Sequence, residues 1–336
     1  MAMDDERRVL LAHGGGGRLS RELIDREIVP RFGREALQGL PDAATLTLDT
    51  PSLRFTTDSF VVQPLFFPGG CIGDLAVRGT LNDLAVSGGR PLYLSLGMIL
   101  EEGLPFSTLR RVLDAIRDAA RQAGVSIVTG DTKVVRRGQC DGMYLSMAGI
   151  GAGLPGLNLS AASIRPGDVV LVSGTLGDHG MAVLAAREKL FLESALASDT
   201  ASVFPLVEAL LPWASEVRFM RDPTRGGIAA SLHEAAVACG FAIDEGSLPY
   251  APAAMTIAEL LGISLLHAPS EGRIMAVVAQ EVAEAILNTW RALPEGHGAC
   301  RIGRAEGAAD RVTLRTRIGG VTLLDMPHGE LLPRIC

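Results

Sequence analysis

The residue best placed by sequence to carry a chemical group is the cysteine at position 336, the last of the sequence. Cys336 closes the segment 327–336, in which two prolines and a glycine disfavour both helix and strand. We therefore expect a mobile arm whose thiol is unhindered and can carry a covalent group. Ten extended residues reach roughly 33–36 Å, enough to visit a catalytic cleft and then a partner protein. The alternative is that a cysteine occupies this position by accident.

Acidic residues beside glycine or small polar residues, in predicted strand ends and turns, form a second group of candidates. They are Asp58, Asp83, Asp131 and Asp222. Mg²⁺ prefers hard oxygen ligands, and nucleotide enzymes usually hold it with a few carboxylates and phosphate oxygens. Four such carboxylates are able to surround one ion, which predicts a magnesium–nucleotide site. The alternative for each aspartate is a structural role as the cap of a helix or turn.

Two glycine-rich segments are candidates for binding phosphate. The first, residues 12–18, contains His13, Gly14, Gly15, Gly16, Gly17 and Arg18. Successive glycines let backbone N–H groups turn toward an anion, and the arginine adds positive charge. The segment is not a Walker A loop, because no GK[ST] follows it, and a flexible turn is the alternative. The second segment consists of Arg225, Gly226 and Gly227 at the start of a predicted helix.

Acid–base or charge-stabilising chemistry has five further candidates. They are Lys133, Glu271, His13, His179 and Arg225. Lys133 follows closely on Asp131, a predicted metal ligand, and Glu271 lies just before a predicted strand. A surface or structural role is the alternative for each of them.

Composition limits the class of protein. A net charge of −7 and a pI of about 5.5 argue against nucleic acid as a main partner, because phosphate-backbone binding needs a basic surface. They do not argue against a nucleotide. The five cysteines are dispersed and form no CxxC pair, which is typical of a reducing cytoplasm and not of a disulfide scaffold or zinc site. No signal peptide or membrane-spanning run is evident, so we expect a cytoplasmic protein.

The elements that must position these residues divide between two domains, as expected for 336 residues. The glycine- and proline-rich break at 151–167 marks the boundary. The predicted units are an N-terminal loop and helix at 1–44, one domain at 45–153, a second at 163–326, and the tail 327–336. Both domains mix strands and helices.

Hydrophobic periodicity and turn residues predict the elements of each half. In the first half we expect a helix capped by Ser20, paired strands in 45–63, helices at 74–88 and 107–124, and strands at 92–99, 125–128 and 145–150. In the second half we expect helices after residue 180 and near 199–211, 226–238, 255–261 and 281–292. Strands are expected there at 169–172, 241–244, 273–279, 300–304, 311–315 and 321–325.

Taken together, these segments resemble one family, the HypE hydrogenase maturation factors, within the PurM-like, AIR synthetase-related, ATP-binding superfamily. The matching stretches are 13–17, 56–62, 67–70, 79–85, 128–135, 173–180, 221–227 and 333–336. Two departures are Cys71, where the family usually has aspartate, and Ser270, where it usually has asparagine. The first removes a carboxylate expected near the metal, and the second affects how Glu271 is oriented.

The resemblance implies a two-domain fold of mixed α/β and α+β type. In it, the N-terminal sheets of a homodimer pair into a barrel and ATP binds close to that interface. It implies that Asn82 and Thr132 join the glycines, His13 and Arg225 in binding ATP, while the four aspartates hold Mg²⁺. The N-terminal glycine loop is expected to close over the nucleotide as a lid.

The resemblance also implies a reaction. Cys336 is expected to receive a carbamoyl group from the carbamoyltransferase HypF, and ATP then drives dehydration of the S-carboxamide to an S-cyanate. The cyanide passes to iron on a HypC–HypD scaffold for [NiFe]-hydrogenase. Glu271 is the first choice for the base and Lys133 the second, although Lys133 is also suited to bind phosphate.

Two alternatives remain at this stage. One is another enzyme of the superfamily, such as selenophosphate synthetase or thiamin-monophosphate kinase. Selenophosphate synthetases carry a reactive cysteine or selenocysteine near the glycine loop, whereas no cysteine precedes Cys71 here. The other is a non-enzymatic scaffold whose terminal thiol carries sulfur or metal between proteins.

Overall fold

The structure, a computed structural model, describes residues 7–15, 17–32, 43–190, 196–326, 332 and 334–336. Within these ranges, two large β-sheets follow one another along the chain and are connected by residues 154–168. Gly16, one of the predicted phosphate-binding glycines, lies outside the described residues.

The first sheet has the strand order β1-β6-β4-β5. The first six strands of the chain are β1 (Leu53–Phe60), β2 (Phe66–Phe67), β3 (Gly70–Cys71), β4 (Gly89–Glu101), β5 (Ser126–Val135) and β6 (Met143–Gly153). Strands β4 and β5 are parallel, and the other pairs in this sheet are antiparallel. The short strands β2 and β3 form a separate ribbon.

Helices cover one face of this sheet. The helices of the first half are α1 (Arg18–Leu23), a π-helical turn (Ile24–Ile28), α2 (Val29–Phe32), α3 (Ile72–Val86) and α4 (Phe106–Gln122). Helix α4 provides the crossover that a parallel β4–β5 pair requires. Its apolar residues recur at helical spacing, so Leu109, Val112, Leu113 and Ile116 all lie in the core.

The second sheet has the order β13-β12-β9-β11-β7-β10-β8. Its strands are β7 (Val169–Val172), β8 (Val217–Arg221), β9 (Phe241–Asp244), β10 (Met275–Val278), β11 (Cys300–Ala305), β12 (Val312–Arg315) and β13 (Val321–Leu323). The helices of this half are α5 (Asp178–Arg187), α6 (Phe204–Glu208), α7 (Gly227–Ala235), α8 (Pro252–Leu261) and α9 (Ala283–Arg291). Strands β9 and β12 are parallel, and the other neighbours are antiparallel.

Helix α3 belongs to the cores of both halves. Leu75 and Leu81 are buried against the first sheet, whereas Ala85 and Val86 pack in a cluster with residues of β7 and α9. The C-terminal end of α3 therefore lies where the two halves meet. Asp83, in its last turn, is carried to that junction.

Several predicted elements need correction. Residues 45–63 contain a single strand, β1, instead of paired strands, because residues 43–52 form no strand. The first helix begins at Arg18 with Gly17 as its N-cap, and Ser20 lies inside it with its hydroxyl group directed toward the Ala12 carbonyl oxygen at 3.5 Å. The helix predicted for 199–211 is limited to α6 and a following 3-10 helix (Leu211–Glu216), whose second residue is proline. Strand β8 was not predicted.

Three of the four predicted metal-binding aspartates lie in regular elements instead of strand ends or turns. Asp58 is within β1, Asp83 within α3 and Asp131 within β5, which continues through Gly130 to Val135. Only Asp222 follows the end of a strand, β8. The strand prediction failed at residue 130 because glycine is a turn signal locally, whereas here it is paired in register with Leu96 of β4.

No helix in the described part of the chain is long and apolar enough to cross a membrane.

Candidate functional site

An acidic cleft of about 310 Å³ lies at the junction of the two halves. Its chemically active lining residues are Asp58, Asp83, Arg221, Asp222, Arg225, Glu271 and Cys336. The first sheet, helix α3, the start of α7 and the C-terminal end of the sequence thus contribute side chains to one site. Three of the four predicted metal ligands and two of the three predicted catalytic residues meet here; hereafter it is the acidic cleft.

Alternate side chains of β1 face helix α3. Thr56 and Asp58 are two residues apart and share the partly buried face, whereas Phe55 on the opposite face is 70% exposed. The Thr56 hydroxyl group donates to Asp83 Oδ2 at 2.8 Å, which joins strand to helix. This spacing places Asp58 on the same side as the Asp83 carboxyl group.

The acids of the cleft oppose one another's ionisation. Burial, followed by the charge of Asp83, raises the pKa of Asp58 to about 6. The same two causes raise the pKa of Asp222 to about 7. Burial, together with the charges of Asp222, Asp199 and Asp58, raises the pKa of Glu271 well above its usual range. The cleft therefore concentrates carboxyl groups whose full ionisation needs a compensating positive charge.

Arg225 supplies part of that charge, since its guanidinium lowers the pKa values of both Asp58 and Asp83 against the opposing effect of burial. It is exposed and immediately precedes Gly226 and Gly227, which start α7. Both glycines have positive φ, +81° and +61°. A Cβ on Gly227 would lie 2.6 Å from the Leu266 carbonyl oxygen, so only glycine fits this turn.

The side chains of the acidic cleft carry the kind of donor atom that a divalent cation binds. Its carboxylate oxygens are the hard ligands that Mg²⁺ prefers, and Glu271 Oε1 is buried without a hydrogen-bond partner. Among the described residues, however, no group of three or more His, Cys, Asp or Glu side chains is arranged to hold a metal ion. Such an incomplete set matches the way Mg²⁺ is bound in nucleotide enzymes, where phosphate oxygens complete the coordination.

Cys336 lies inside this cleft. Cys336 is partly buried and lines the cleft together with Glu271, and the charge of the Glu271 carboxyl group adds to burial in raising the pKa of the Cys336 thiol. Burial is the larger cause of the raised Cys336 pKa. The described end of the predicted mobile arm is thus seen in a docked position.

A second cavity of about 800 Å³ lies beside the N-terminal segment. It is lined by His13, Gly14, Gly15, Asp131, Thr132, Lys133 and by apolar residues that include Leu23, Ile28, Phe32, Leu96 and Met98. A Cβ on Gly14 would lie 2.5 Å from the Val134 backbone nitrogen, so glycine permits this loop to pack against β5. His13 Nδ1 accepts from the Leu10 N–H at 2.8 Å, and its ring meets Phe106 edge-on.

The two cavities separate residues that the sequence analysis grouped together. Asp131 lines the second cavity, exposed, with Oδ1 accepting from the Thr132 N–H at 2.8 Å, whereas the other three aspartates line the acidic cleft. Lys133 also lines the second cavity and is exposed. A single chain therefore does not bring Asp131 or Lys133 to Cys336.

The position of Asn82 differs from the predicted contact with ATP. Its side chain is 1% exposed, and its amide group donates to the carbonyl oxygens of Ala201 and Glu271, each at 3.0 Å. Its amide oxygen accepts from the Val203 N–H at 2.9 Å. The amide group is bonded within the protein, where it fixes the segment that contains Glu271.

Several residues that shape the site were missed by sequence reasoning. Asp199 Oδ1 accepts from the Glu271 N–H at 3.0 Å, and Arg273 Nε lies 3.5 Å from the same carboxyl group. The Ser198 hydroxyl group contacts His179, and the Thr200 hydroxyl group contacts Ser198. No local sequence pattern marks these residues, because their partners are remote in the sequence.

Both departures from the family pattern, Cys71 and Ser270, make structural contacts with nearby backbone. Cys71 is the N-cap of α3, where its side chain accepts from the Asp74 N–H and its own N–H donates to Asp74 Oδ2 at 3.0 Å. Burial raises the pKa of the Cys71 thiol to about 12. Ser270 is buried, and its hydroxyl oxygen accepts from the Gly177 N–H at 2.8 Å.

Comparison with known proteins defines the class first. The N-terminal domain model of the AIR synthase related proteins matches residues 41–153, and their C-terminal domain model matches residues 165–315. The chain therefore has the PurM-like fold of this class. It is 48% identical to the carbamoyl dehydratase HypE of Rhodobacter capsulatus over the full length of both chains. The chain belongs to the HypE family.

Solved structures agree with this assignment. A crystal structure of the hydrogenase maturation protein HypE in complex with ATP superimposes with a TM-score of 0.93 at 42% identity, covering 97% of this chain and 99% of that one. The crystal structure of a HypE–HypF complex gives a TM-score of 0.79 at 40% identity, covering 93% of this chain and all of the other.

Proposed function

We propose that this protein acts in hydrogenase maturation by dehydrating an S-carboxamide on Cys336 to an S-cyanate, with ATP as the driving substrate. The observation that carries the proposal is the Cys336 thiol lying against Glu271 inside the acidic cleft. A thiol that only ferried sulfur or metal would not need a buried carboxyl group beside it. The family relationship supports the same reaction.

The chemistry balances through a phosphorylated intermediate. The carboxamide oxygen attacks the γ-phosphorus of ATP, ADP leaves, and loss of one N–H proton gives an O-phosphorylated thiocarbonimidate, in which the carbon bonds to the Cys336 sulfur, an imine nitrogen and the phosphorylated oxygen. The carbon–oxygen bond then breaks, phosphate leaves with the former carboxamide oxygen, and the second N–H proton is lost as the carbon–nitrogen triple bond forms. The carboxamide has lost the elements of water, and ATP has become ADP and phosphate.

Glu271 is the base that we favour. Its carboxyl group is 2% exposed and faces the sulfur that bears the carboxamide. A buried carboxylate with a raised pKa holds a proton more strongly than an exposed one, which suits it to accept protons from nitrogen. Lys133 lies in the second cavity, so we propose phosphate binding for it in preference to proton transfer.

Nucleotide binding is proposed for the glycine segments and the acids. Gly14, Gly15, Gly17 and Gly226 offer backbone groups at loop and helix starts, and Thr132 offers its hydroxyl group from β5. The structure of a HypE with ATP supports ATP as the ligand. Asp58, Asp83 and Asp222 of the acidic cleft would hold Mg²⁺, whereas Asp131 would act beside the nucleotide in the second cavity. Bound Mg²⁺ would offset the charge that develops on the phosphates.

Partner proteins are proposed from the accessibility of the thiol. In the docked position Cys336 is partly buried and its pKa is raised, mainly by burial, so carbamoyl transfer requires the tail to leave the cleft. HypF is the proposed carbamoyl donor, as the HypE–HypF structure of a relative supports. A HypC–HypD complex is the proposed acceptor of cyanide, and dispersed free cysteines favour a cytoplasmic location.

We propose a homodimer because one face of the first sheet exposes apolar side chains. Leu53 and Phe55 of β1 are 51% and 70% exposed, which is unusual for neighbouring apolar side chains on one strand face. Pairing of two such sheets would cover them and form the expected barrel. Residues 45–153 would then serve as the dimerisation and nucleotide domain, and residues 163–326 as the second domain.

Isotope transfer tests the reaction. Cys336 is loaded by HypF with a carboxamide carrying heavy oxygen, and ATP with Mg²⁺ is added. We expect the protein to lose the mass of one water and the heavy oxygen to appear in phosphate. Glu271→Gln should abolish both results, whereas Glu234→Gln, which lines the same cleft and pairs with Arg221, should retain them. Loaded wild-type protein that keeps its mass would favour a thiol scaffold.

A further inference from the structure

The backbone of the C-terminal segment is held by side chains of the body of the protein. The Ile335 side chain is buried, and its carbonyl oxygen accepts from His179 Nε2 at 2.9 Å. The Arg334 carbonyl oxygen accepts from the Gln63 N–H at 3.1 Å and from Arg187 Nη2 at 2.5 Å. Two consecutive peptide groups immediately before Cys336 are thus bound directly.

These contacts impose a particular backbone shape. Arg334 has φ of +56°, a left-handed conformation that is unfavourable for a non-glycine residue. Its guanidinium lies 3.0 Å from Asp141. Such a conformation persists when surrounding contacts fix it. The docked tail is therefore a specific bound state, and not a loose arm resting on the surface.

His179 is oriented by a chain of hydroxyl groups. A carbonyl oxygen only accepts, so Nε2 must carry the ring proton, and Nδ1 accepts from the Ser198 hydroxyl group at 2.7 Å. Ser198 in turn accepts from the Thr200 hydroxyl group at 2.6 Å. Phe67 meets the imidazole edge-on at 5.4 Å. Every polar atom of this completely buried ring has one defined partner.

Asp199, which lies between Ser198 and Thr200 in the sequence, binds the backbone of Glu271, the proposed base. Asp199 Oδ1 accepts from the Glu271 N–H at 3.0 Å, and its side chain is 1% exposed. Hydrogen bonds therefore join Ile335 to His179, His179 to Ser198, and Asp199, the neighbour of Ser198, to Glu271, which lines the same cleft as Cys336. The tail and the base are attached to neighbouring residues of one segment.

We propose that His179 is the receptor for the C-terminal backbone, and that residues 198–200 couple tail docking to the position of Glu271. His179 is a positioning residue, because it binds the peptide group before Cys336 and does not touch the thiol-bound group. The purpose of this coupling, to place the thiol-bound group beside Glu271, rests on the proposed function. Its physical content, a bound tail coupled to Glu271, is measurable without any reaction.

A matched pair of amide variants tests the receptor. In His179→Gln the amide nitrogen takes the place of Nε2 and can still donate to Ile335, whereas in His179→Asn it takes the place of Nδ1 and cannot. We measure the rate at which Cys336 is alkylated by N-ethylmaleimide, by peptide mass spectrometry. His179→Asn should accelerate alkylation about tenfold, the value of one hydrogen bond, and His179→Gln by less than about threefold.

The same samples contain a control for folding. Cys71 is buried, and its alkylation should stay slow in every variant whose fold is intact. If His179→Asn fails this control, Ser198→Ala replaces it, since loss of the Ser198 hydroxyl leaves His179 present but not oriented, and it should also accelerate alkylation of Cys336. Equal alkylation rates in wild type and the folded variant would overturn the receptor.

Hydrogen exchange tests the coupling. Release of the tail in His179→Asn should speed amide exchange in the peptide 268–275, which contains Glu271, and His179→Gln should not. Faster alkylation with unchanged exchange would overturn the coupling. Neither experiment contains nucleotide or a carbamoyl group, so a failure of the dehydration reaction and a failure of this proposal are distinguished.

Discussion

The Cys336 thiol and the Glu271 carboxyl group face each other in one cleft, although they belong to different parts of the chain. Glu271 is fixed to the core because its backbone N–H donates to Asp199 Oδ1. The thiol is held by the docked tail, through the contact of Ile335 with His179. A carboxyl group fixed in the core and a thiol on a separate terminal segment suit the proposed reaction on a group that is loaded elsewhere.

Replacing Cys336 by alanine should abolish carbamoyl loading, because no other sulfur enters the acidic cleft in the described residues. Nucleotide affinity should remain within about threefold of wild type, since the variant removes one weakly hydrogen-bonding group. Intact mass spectrometry measures loading, and calorimetry measures affinity. Cys300→Ala, a partly exposed thiol elsewhere, is the control and should load normally. A loaded Cys336→Ala protein would assign the carrier site to another residue.

Replacing Asp83 by asparagine should weaken binding of ATP in the presence of Mg²⁺ by about tenfold or more, because a charged ligand is lost. Asp131→Asn should also weaken binding, but less, since that side chain is exposed and bonded to the Thr132 N–H. The exposed Asp325 provides a control substitution to asparagine. Affinities measured by calorimetry that are unchanged in both variants would remove these aspartates from the site.

Protonation of His179 should destabilise the protein in mild acid. Burial lowers the pKa of His179 to about 4, from 6.5 when exposed. The unfolded chain then binds more protons than the native one between these values, so stability falls as pH falls from 6.5 toward 4. By pH 5 the loss should be about 2 kcal/mol.

His179→Gln cannot titrate and isolates this contribution. Urea unfolding of both proteins at pH 7.5 and at pH 5 gives the difference in their free energies of unfolding at each pH. That difference should shift in favour of the variant in acid. A difference that does not change with pH would mean that folding leaves the pKa of His179 at its unfolded value.

Gly227→Ala should be strongly destabilising, because a Cβ there lies 2.6 Å from the Leu266 carbonyl oxygen and the residue has φ of +61°. Gly124→Ala is the matched control, since Gly124 has φ of +68° and open space around its Cβ position. We expect a loss of about 1 kcal/mol for Gly124→Ala and about 3 kcal/mol or more for Gly227→Ala, by urea unfolding. Equal losses would show that the turn at α7 can relax.

Local sequence signals predicted most of the elements. The amphipathic pattern of α4 and the glycine that follows it gave a helix within two residues of the observed bounds, because periodic burial and a left-handed stop are encoded locally. The same signals failed for residues 45–52, where alternating apolar side chains form no strand. A strand needs a partner, and the partner of β1 is the distant strand β6.

The candidate site was predicted in its residue types but not in its grouping. Asp58, Asp83, Asp222, Glu271 and Cys336 were identified individually, and the structure brings all five to one cleft. Asp131 and Lys133 were grouped with them and instead line the second cavity. Sequence reasoning assigned possible chemistry to each side chain, but distance between side chains depends on how α3 and the two sheets pack.

By itself, the amino-acid sequence determined the chemical repertoire of this protein: a terminal thiol, dispersed carboxyl groups and glycines at tight turns. It also determined the family, since ordered motifs survive in the linear chain. Only the tertiary structure decided that the thiol meets Glu271 and that His179 holds the tail. Both depend on hydrogen bonds between residues far apart in sequence, and those contacts form only when the two halves pack around α3.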